Sequence, residues 1–315
     1  METQTGRKQA LATSQRNRIL IAANPTAGAR AIDSPIDRLA AAITNAGFEP
    51  TRHHDLGQFA VDAAAARESD QLHAVIAAGG DGTASAVANR IAPDVPLLVF
   101  PLGTENLLAR YLGIRADPAQ ACDILRTGDK LQMDAGLANG RMFLLMASCG
   151  FDAEVVRRVH QRRRGHITRL SYVQPTLESL HEYPHPDIRV YCDAAADDAT
   201  NPQVLGKWVF VMNVPMYAGG MPIVGRAHGA DGRMDVCVFK RGSAFHNLVY
   251  LSGMFLRQHE NWSDCDIREA QRCLLESDEP VPYQLDGDFV GHLPVDIEVA
   301  PLRVMYFVPS NQSMK

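Results

Sequence analysis

Short apolar runs and longer segments with helical periodicity alternate along the first third of the chain. The apolar runs at 18–24, 74–78 and 97–100 each end in a loop rich in Gly or Pro. Runs of this length with such boundaries are typical of strands buried in a parallel sheet. Segment 35–46 instead repeats its apolar residues at helical spacing, and segment 58–67 is rich in Ala, a strong helix former. Alternation of this kind predicts a parallel α/β sheet.

The pattern changes after about residue 130. Asn139-Gly140 lies between two apolar runs, which is typical of a β-hairpin. Helices are predicted near 153–163, 169–180 and 244–258. Further strands, separated by Gly, Pro and Asp, are predicted at 187–192, 207–213, 234–239, 281–285, 295–299 and 303–308.

We therefore predict two domains with a cleft between them. Residues 17–133 are expected to form an α/β domain, and 134–315 a β-rich domain built as an antiparallel sheet or sandwich. The last strands of the second domain are free to pack back on the first. Residues 1–16 are polar and lack an apolar core, so a disordered tail is expected rather than a signal peptide.

Composition narrows the possible partners. The net charge of −5 argues against a nucleic-acid binder that depends on overall charge. The six cysteines show no metal-ligand spacing, which favours reduced, buried thiols in a cytoplasmic protein. No apolar run approaches the about 20 residues that a membrane-spanning helix needs.

Three loops carry the chemistry, and each follows a predicted parallel strand. They are 24–28 (NPTAG), 79–83 (GGDGT) and 101–106 (PLGTEN). Glycines let phosphate oxygens approach main-chain amides, although a plain strand-to-helix turn uses the same residues. Since open α/β sheets bind ligands at the carboxyl ends of their strands, three such loops predict a phosphate-binding site. Neither a Walker A sequence nor a dinucleotide GxGxxG is present.

The order and spacing of these loops resemble the catalytic domain of the diacylglycerol kinase family, which includes sphingosine kinases and YegS-like bacterial lipid kinases. The likeness continues through 143–156 (FLLMASCGFDAEVV), 165–172, the YAGG and DGRMD elements of 213–235, and 285–288 (LDGD). The resemblance implies a phosphofructokinase-like nucleotide domain and a β-rich lipid domain. It also implies Mg²⁺-assisted transfer of the γ-phosphate of ATP to a lipid hydroxyl.

The resemblance also implies roles for single residues. Asp286 is expected to be the base that takes the proton of the lipid hydroxyl, with Asp81 as the alternative. A structural Mg²⁺ is expected at the Asp231 carboxylate and the carbonyls of Met234 and Val236. Asp286-Gly287 and Asp231-Gly232 are also good hairpin turns. The residues expected around ATP are Asn24, Gly79, Gly80, Asp81, Gly82, Thr83, Gly103, Thr104 and Asn106.

Five positions depart from the family pattern. Leu107 and Leu145 stand where Asp and Asn are usual, 84–86 lacks the usual Asn and Glu, and Asp288 replaces Glu. These losses leave open a catalytically impaired nucleotide- or lipid-binding homologue. An NAD kinase-type phosphotransferase is a further alternative, but such kinases carry Asn-x-Gly-x-Leu-Gly-Phe where this chain has PLGTEN.

A basic run interrupts the acidic chain. It comprises Arg157, Arg158, Arg162, Arg163, Arg164 and Arg169, with His160 and His166. One interpretation is attraction to an anionic membrane leaflet, at about 1 kcal/mol per nearby Arg. The other is a solvated helix face that pairs with acidic neighbours. The expected partner is a lipid at the membrane surface, reached by a peripheral protein; a homodimer is left open and no nucleic-acid partner is expected.

Overall fold

The computed structural model describes residues 16–23, 34–162, 169–193 and 202–310. The α-helices are α1 (Pro35–Asn45), α2 (Leu56–Glu68), α3 (Asp81–Ala88), α4 (Leu107–Tyr111), α5 (Pro118–Thr127), α6 (Phe151–Gln161), α7 (Val173–Glu182) and α8 (Ala244–Leu256). Short 3-10 helices are Arg169–Tyr172, Ala218–Gly220 and His259–Asn261.

The strands of the first part are β1 (Arg18–Ala23), β2 (Glu49–His53), β3 (Leu72–Gly79), β4 (Pro96–Pro101), β5 (Asp129–Ala138), β6 (Arg141–Phe143), β7 (Met146–Gly150), β8 (Ile188–Cys192) and β9 (Val204–Gly206). Those that follow are β10 (Trp208–Met212), β11 (Met216–Tyr217), β12 (Met221–Pro222), β13 (Met234–Phe239), β14 (Cys265–Ala270), β15 (Arg272–Glu276), β16 (Pro282–Leu285), β17 (Asp288–His292) and β18 (Val295–Val308).

The larger sheet has ten strands and joins both halves of the chain. Its order is β2-β1-β3-β4-β18-β15-β8-β9, with β5 paired to β18 and β6 to β5. The first four strands are mutually parallel, as predicted. β18 adds a further parallel strand beside β4, although it comes from the end of the chain.

β18 is one continuous strand where the sequence predicts two. Its pairing with β5 shifts register between Ala300 and Val304, and Leu302 has a positive φ of 49°. This β-bulge interrupts the alternation of side chains, which is why the sequence pattern breaks there. β5 runs from Asp129 to Ala138 and so crosses the predicted boundary. Its main-chain hydrogen bonds to β18 lie on both sides of residue 133. The predicted boundary at 133/134 stays a prediction.

A second sheet of six strands packs on the larger one. Its order is β14-β13-β10-β7-β16-β17, and its described pairings are antiparallel. A buried cluster combines Cys273 and Ile297 of the larger sheet with Val211 and Val236 of the smaller one. The predicted fold class, an α/β domain followed by a β-sandwich, is confirmed. In this sheet β7, β14 and β17 have no predicted counterpart; β7 is built of small residues and β14 is largely polar.

Helix termini follow the local signals closely. Ser34 caps α1 with a capping box to Asp37, and Asp117 caps α5 ahead of Pro118. All six cysteines lie in the described residues and none forms a disulfide. No helix in the described ranges is long and apolar enough to cross a membrane.

Candidate active site

Two of the three glycine-rich loops meet at the carboxyl end of the larger sheet. A Cβ on Gly103 would lie 2.5 Å from the Cα of Gly80, so this contact between main chains requires glycine. The Leu102 amide also donates to the Gly79 carbonyl at 2.9 Å. The third loop, with Asn24, lies outside the described residues, so the role predicted for Asn24 stays a prediction.

The polar side chains of these loops hold the loops together. The Asp81 carboxylate accepts the amides of Leu107 and Leu108 at 3.0 and 2.9 Å, which anchors the start of α4. Burial, together with the charge of Glu105, raises the pKa of Asp81. Asn106 accepts the Gly103 amide and donates to the Gly103 carbonyl, both at 2.8 Å. The cradle is therefore built before any ligand arrives.

Asp286 occupies the turn between β16 and β17, with a positive φ of 50°. Its Oδ2 accepts the Leu144 amide at 2.8 Å, and its Oδ1 accepts those of Leu145 and Met146 at 2.8 and 3.1 Å. Burial raises the pKa of Asp286 to about 6, and the nearby charge of Asp81 also raises it. The three amides lower the pKa and so offset part of this effect. Because Oδ2 has one protein donor, it can accept another hydrogen bond.

Asp286 and the glycine-rich loops line one cavity of about 520 Å³. Its polar lining residues, called the polar end below, are Gly80, Asp81, Gly82, Thr104, Asn106 and Asp286. Its apolar lining residues, called the apolar arm below, are Leu145, Met146, Phe151, Val155, Val156, Tyr172, Trp208, Tyr217, Met221 and Leu251. Asp288 also reaches the second loop, since a Cβ on Gly82 would lie 3.7 Å from its Oδ2.

Three predicted ATP residues support this cavity from outside its wall. Thr83 covers Gly79, where an added Cβ would overlap the threonine side chain, and Gly103 packs behind Gly80. Gly79, Thr83 and Gly103 are absent from the lining. They shape the loops, and the contact with ATP that was predicted for them stays a prediction.

The predicted metal residues lie elsewhere. Asp231 is exposed and its Oδ1 accepts the Arg233 amide at 3.0 Å. Met234 and Val236 are buried within β13, which is paired on both sides. Within the described residues no three His, Cys, Asp or Glu side chains group as metal ligands. Mg²⁺ prefers an octahedral set of oxygen ligands, which this arrangement does not supply, so a structural Mg²⁺ here stays a prediction.

The basic run is largely neutralised where its side chains are described. Arg157 pairs with Glu154 at 2.7 Å, and Arg158 pairs with both Glu154 and Glu182. Arg162 pairs with Glu178, also an acidic neighbour. Arg163, Arg164 and the Arg169 side chain lie outside the described part. The contacts of the described arginines therefore favour the second interpretation, a helix face that pairs with acidic neighbours.

The departures from the family pattern spare the hydrogen bonds to the two aspartates. The main-chain amide of Leu107 donates to Asp81, and that of Leu145 donates to Asp286. Any residue except proline supplies such an amide. Both leucine side chains are buried and line the cavity. The substitutions make the cavity wall more apolar without removing the donors.

The sequence analysis missed a buried polar network in the apolar arm. Asp152, at the start of α6, accepts Ser148 Oγ at 2.7 Å and Trp208 Nε1 at 2.9 Å. Gln284 of β16 belongs to the same network, because its Nε2 donates to Ser148 Oγ and lies near Asp152 Oδ2. The only signals were a carboxylate directly after an apolar strand and one amide inside the apolar run 281–285.

Comparison with known proteins agrees with this arrangement. A model of the diacylglycerol kinase catalytic domain matches residues 18–138, and one of the YegS C-terminal NAD kinase beta sandwich-like domain matches 146–308. The fold and the two matching models thus define a member of a kinase family, with an α/β part followed by a β-sandwich. The chain belongs to the diacylglycerol kinase family.

Individual relatives share this organisation. A diacylglycerol kinase of Bacillus subtilis (strain 168) is 28% identical over 281 residues, covering 86% of this chain and 89% of the relative. A crystal structure of a diacylglycerol kinase from Bacillus anthracis str. Sterne has a TM-score of 0.66 at 19% identity, over 94% of this chain and 97% of that one. An NAD kinase from Archaeoglobus fulgidus in complex with ATP has a TM-score of 0.52 at 12% identity, over 93% and 94% of the two chains.

Proposed function

We propose that the protein is a lipid kinase that transfers the γ-phosphate of ATP to a lipid hydroxyl. One observation carries the proposal: the glycine-rich loops, Asp286 and the apolar arm all line a single cavity. Such a cavity can hold a phosphate chain and an alkyl chain against the same carboxylate. The diacylglycerol kinases among its relatives support a diacylglycerol-like acceptor, and a sphingoid-like acceptor is the alternative.

In phosphoryl transfer the protein mainly positions the two reactants and neutralises the negative charge of the phosphates. Gly80, Gly82 and Thr104 line the polar end, where the N-terminus of α3 adds partial positive charge for the phosphates. The Mg²⁺ that accompanies ATP would neutralise further phosphate charge. Asp286 takes the hydroxyl proton as the acceptor oxygen bonds to the γ-phosphorus and the bond from that phosphorus to the leaving ADP oxygen breaks.

Asp286 suits the role of base better than Asp81 because of where each lies. Asp286 is held by the amides of Leu144 to Met146, and Leu145 and Met146 also line the apolar arm. Asp81 belongs to the loop on the phosphate side and anchors α4. The acceptor hydroxyl therefore comes to Asp286 from the lipid side.

The test is phosphate transfer from [γ-³²P]ATP with Mg²⁺ to a panel of lipids in detergent micelles. Label in an organic-phase product is the expected result. Label in NADP would instead identify an NAD kinase, which the apolar arm opposes. Absence of any labelled product would favour the impaired homologue.

We also propose that the lipid enters from a membrane surface that docks on α7 and α8. Tyr172, Thr176 and Leu251, on or next to these helices, line the cavity. Of the ten large apolar side chains that are exposed in the described residues, seven lie on or beside these two helices. We call them the apolar rim: Leu170, Val173, Leu177, Phe245, Leu248, Phe255 and Leu256.

The apolar rim fits a bilayer because its residues recur at helical spacing and so form one face on each helix. Burying several such side chains stabilises docking by about 1.5–3 kcal/mol each at full burial. In this proposal the membrane contact is made by apolar side chains and not by the basic run, because the described arginines of that run are paired with acidic side chains. Docking should therefore persist on neutral vesicles.

The experiment compares two charge-matched double variants. L177E/F255E places two carboxylates on the apolar rim, whereas V61E/L205E places them on α2 and β9, away from it. We expect only the former to lose binding to phosphatidylcholine vesicles, by tenfold or more in a sedimentation assay. Its activity on dispersed short-chain diacylglycerol should stay unchanged. Equal binding by both variants would contradict the docking proposal but not the kinase proposal.

A further inference from the structure

The turn that presents Asp286 depends on one buried side chain. Asp286 and Gly287 both have positive φ, 50° and 89°, a conformation that a non-glycine residue adopts rarely. Gln284 is 1% exposed, and its Oε1 accepts the Gly287 amide at 2.7 Å. The Asp286 amide donates to the Met146 carbonyl at 3.0 Å. Gln284 is thus the side-chain support of this turn.

The other end of Gln284 is bound to the wall of the apolar arm. Its Nε2 donates to Ser148 Oγ at 2.7 Å and lies 3.4 Å from Asp152 Oδ2. Ser148 Oγ–H in turn donates to the Asp152 carboxylate, which also accepts Trp208 Nε1. An ionised carboxylate accepts only, so the amide must turn its NH₂ group toward Asp152 and its oxygen toward Gly287.

We propose that Gln284 is a positioning residue for Asp286, which it couples through Ser148 and Asp152 to the wall that receives the acceptor. The inference rests on the proposed function, in which Asp286 is the base. Asp152 and Trp208 line the arm and Gly287 borders the polar end. The Gln284 side chain therefore spans the two ends of the cavity wall.

Removal of this support should affect chemistry more than ATP binding. Gln284 makes none of the described contacts with Gly80 or Thr104, so the phosphate end keeps its shape. A catalytic group displaced by about 1 Å can lose a hundredfold in rate. We expect Q284M, which keeps the length and loses both hydrogen bonds, to lower kcat by about 10- to 100-fold with KM for ATP little changed.

A polarity swap gives the rescue. Q284E keeps the acceptor for the Gly287 amide but places a second carboxylate beside Asp152, so its kcat should also fall. In D152N/Q284E the amide donor lies at position 152 and the carboxylate acceptor at position 284, the reverse of the natural pair. We expect this variant to recover most of the lost kcat. Q203M is the matched control, because Gln203 also makes two hydrogen bonds, both to Cys192, at the edge between β8 and β9.

A measurement without activity keeps the test independent of the kinase proposal. The Asp286 carboxyl can be titrated by NMR with ¹³C-labelled aspartate, assigned with D286N. We expect Q284M to change the pKa of Asp286, because its burial and its hydrogen bonds to the amides of Leu144 to Met146 depend on the geometry of the turn, while Q203M leaves it unchanged. An unchanged pKa in Q284M, with only the melting temperature lowered, would overturn the proposal whether or not lipid is phosphorylated.

Discussion

The reactivity of Asp286 depends on two opposed influences on its pKa. Burial favours the neutral acid, and three main-chain amides favour the carboxylate. A pKa of about 6 leaves the group ionised at neutral pH and still basic enough to accept a proton. Asp152, buried in the same cavity wall, reaches a similar pKa of about 6 through burial.

Replacing Asp286 by Asn should abolish turnover and leave ATP affinity nearly intact, because the glycine-rich loops are untouched. The new NH₂ group faces the Leu144 amide, a lost hydrogen bond worth about 1–3 kcal/mol of stability. Assays at a temperature where the variant is folded, with calorimetric ATP binding, check this. Parallel losses of turnover and ATP affinity would make Asp286 structural.

The pH dependence has a definite sign. The base must be ionised, so kcat should fall as pH drops below about 6 and level off above it. Because the folded-state pKa lies above the unfolded value, the contribution of Asp286 to stability is present at low pH and is lost as pH rises through about 6. A kcat profile flat between pH 5 and 8 would exclude Asp286 as the base.

At the scale of elements, the site depends on the contact between the loops after β3 and β4. A Cβ on Gly103 would also lie 2.9 Å from Asn106 Oδ1, the atom that holds this loop. We expect G103A to cost about 1–3 kcal/mol and to weaken ATP binding, as measured by chemical denaturation and calorimetry. The control is G291A, whose Cβ would meet only Tyr283 at 3.4 Å. Equal effects of the two changes would contradict this account.

At the scale of the whole molecule, β18 joins the two halves. It pairs with β4, β5 and β15, so the N-terminal strands and the sandwich share hydrogen bonds. We expect one cooperative unfolding transition, with Trp208 and Trp262 fluorescence coincident with far-UV circular dichroism. Two separated transitions would show that the halves fold independently.

Deletion of residues 295–315 gives a second check on β18. Without it, the edge of β4 and the long edge of β5 lose their partners, and unpaired edges promote aggregation. We expect the truncated chain to be insoluble or to lack a cooperative transition. Deletion of 311–315 alone, which lies beyond β18, should leave melting and activity unchanged.

The local part of this fold could be predicted because its signals are local. Ser34-Pro35 and Asp117-Pro118 begin helices, and apolar runs followed by glycine mark β1, β3 and β4. Hairpin chemistry at Asn139-Gly140 joins β5 to β6. The family likeness of the loop motifs then indicated that Asp286 belongs with Asp81, and the two line one cavity.

By itself, the sequence determined most of the elements, the fold class and the family, because caps, apolar periods and glycine loops act between neighbouring residues. Only the tertiary structure decided that β18 lies beside β4, that Gln284 supports the turn of Asp286, and that exposed apolar side chains gather on α7 and α8. These depend on packing between segments far apart in the chain, which leaves no fixed spacing in the sequence.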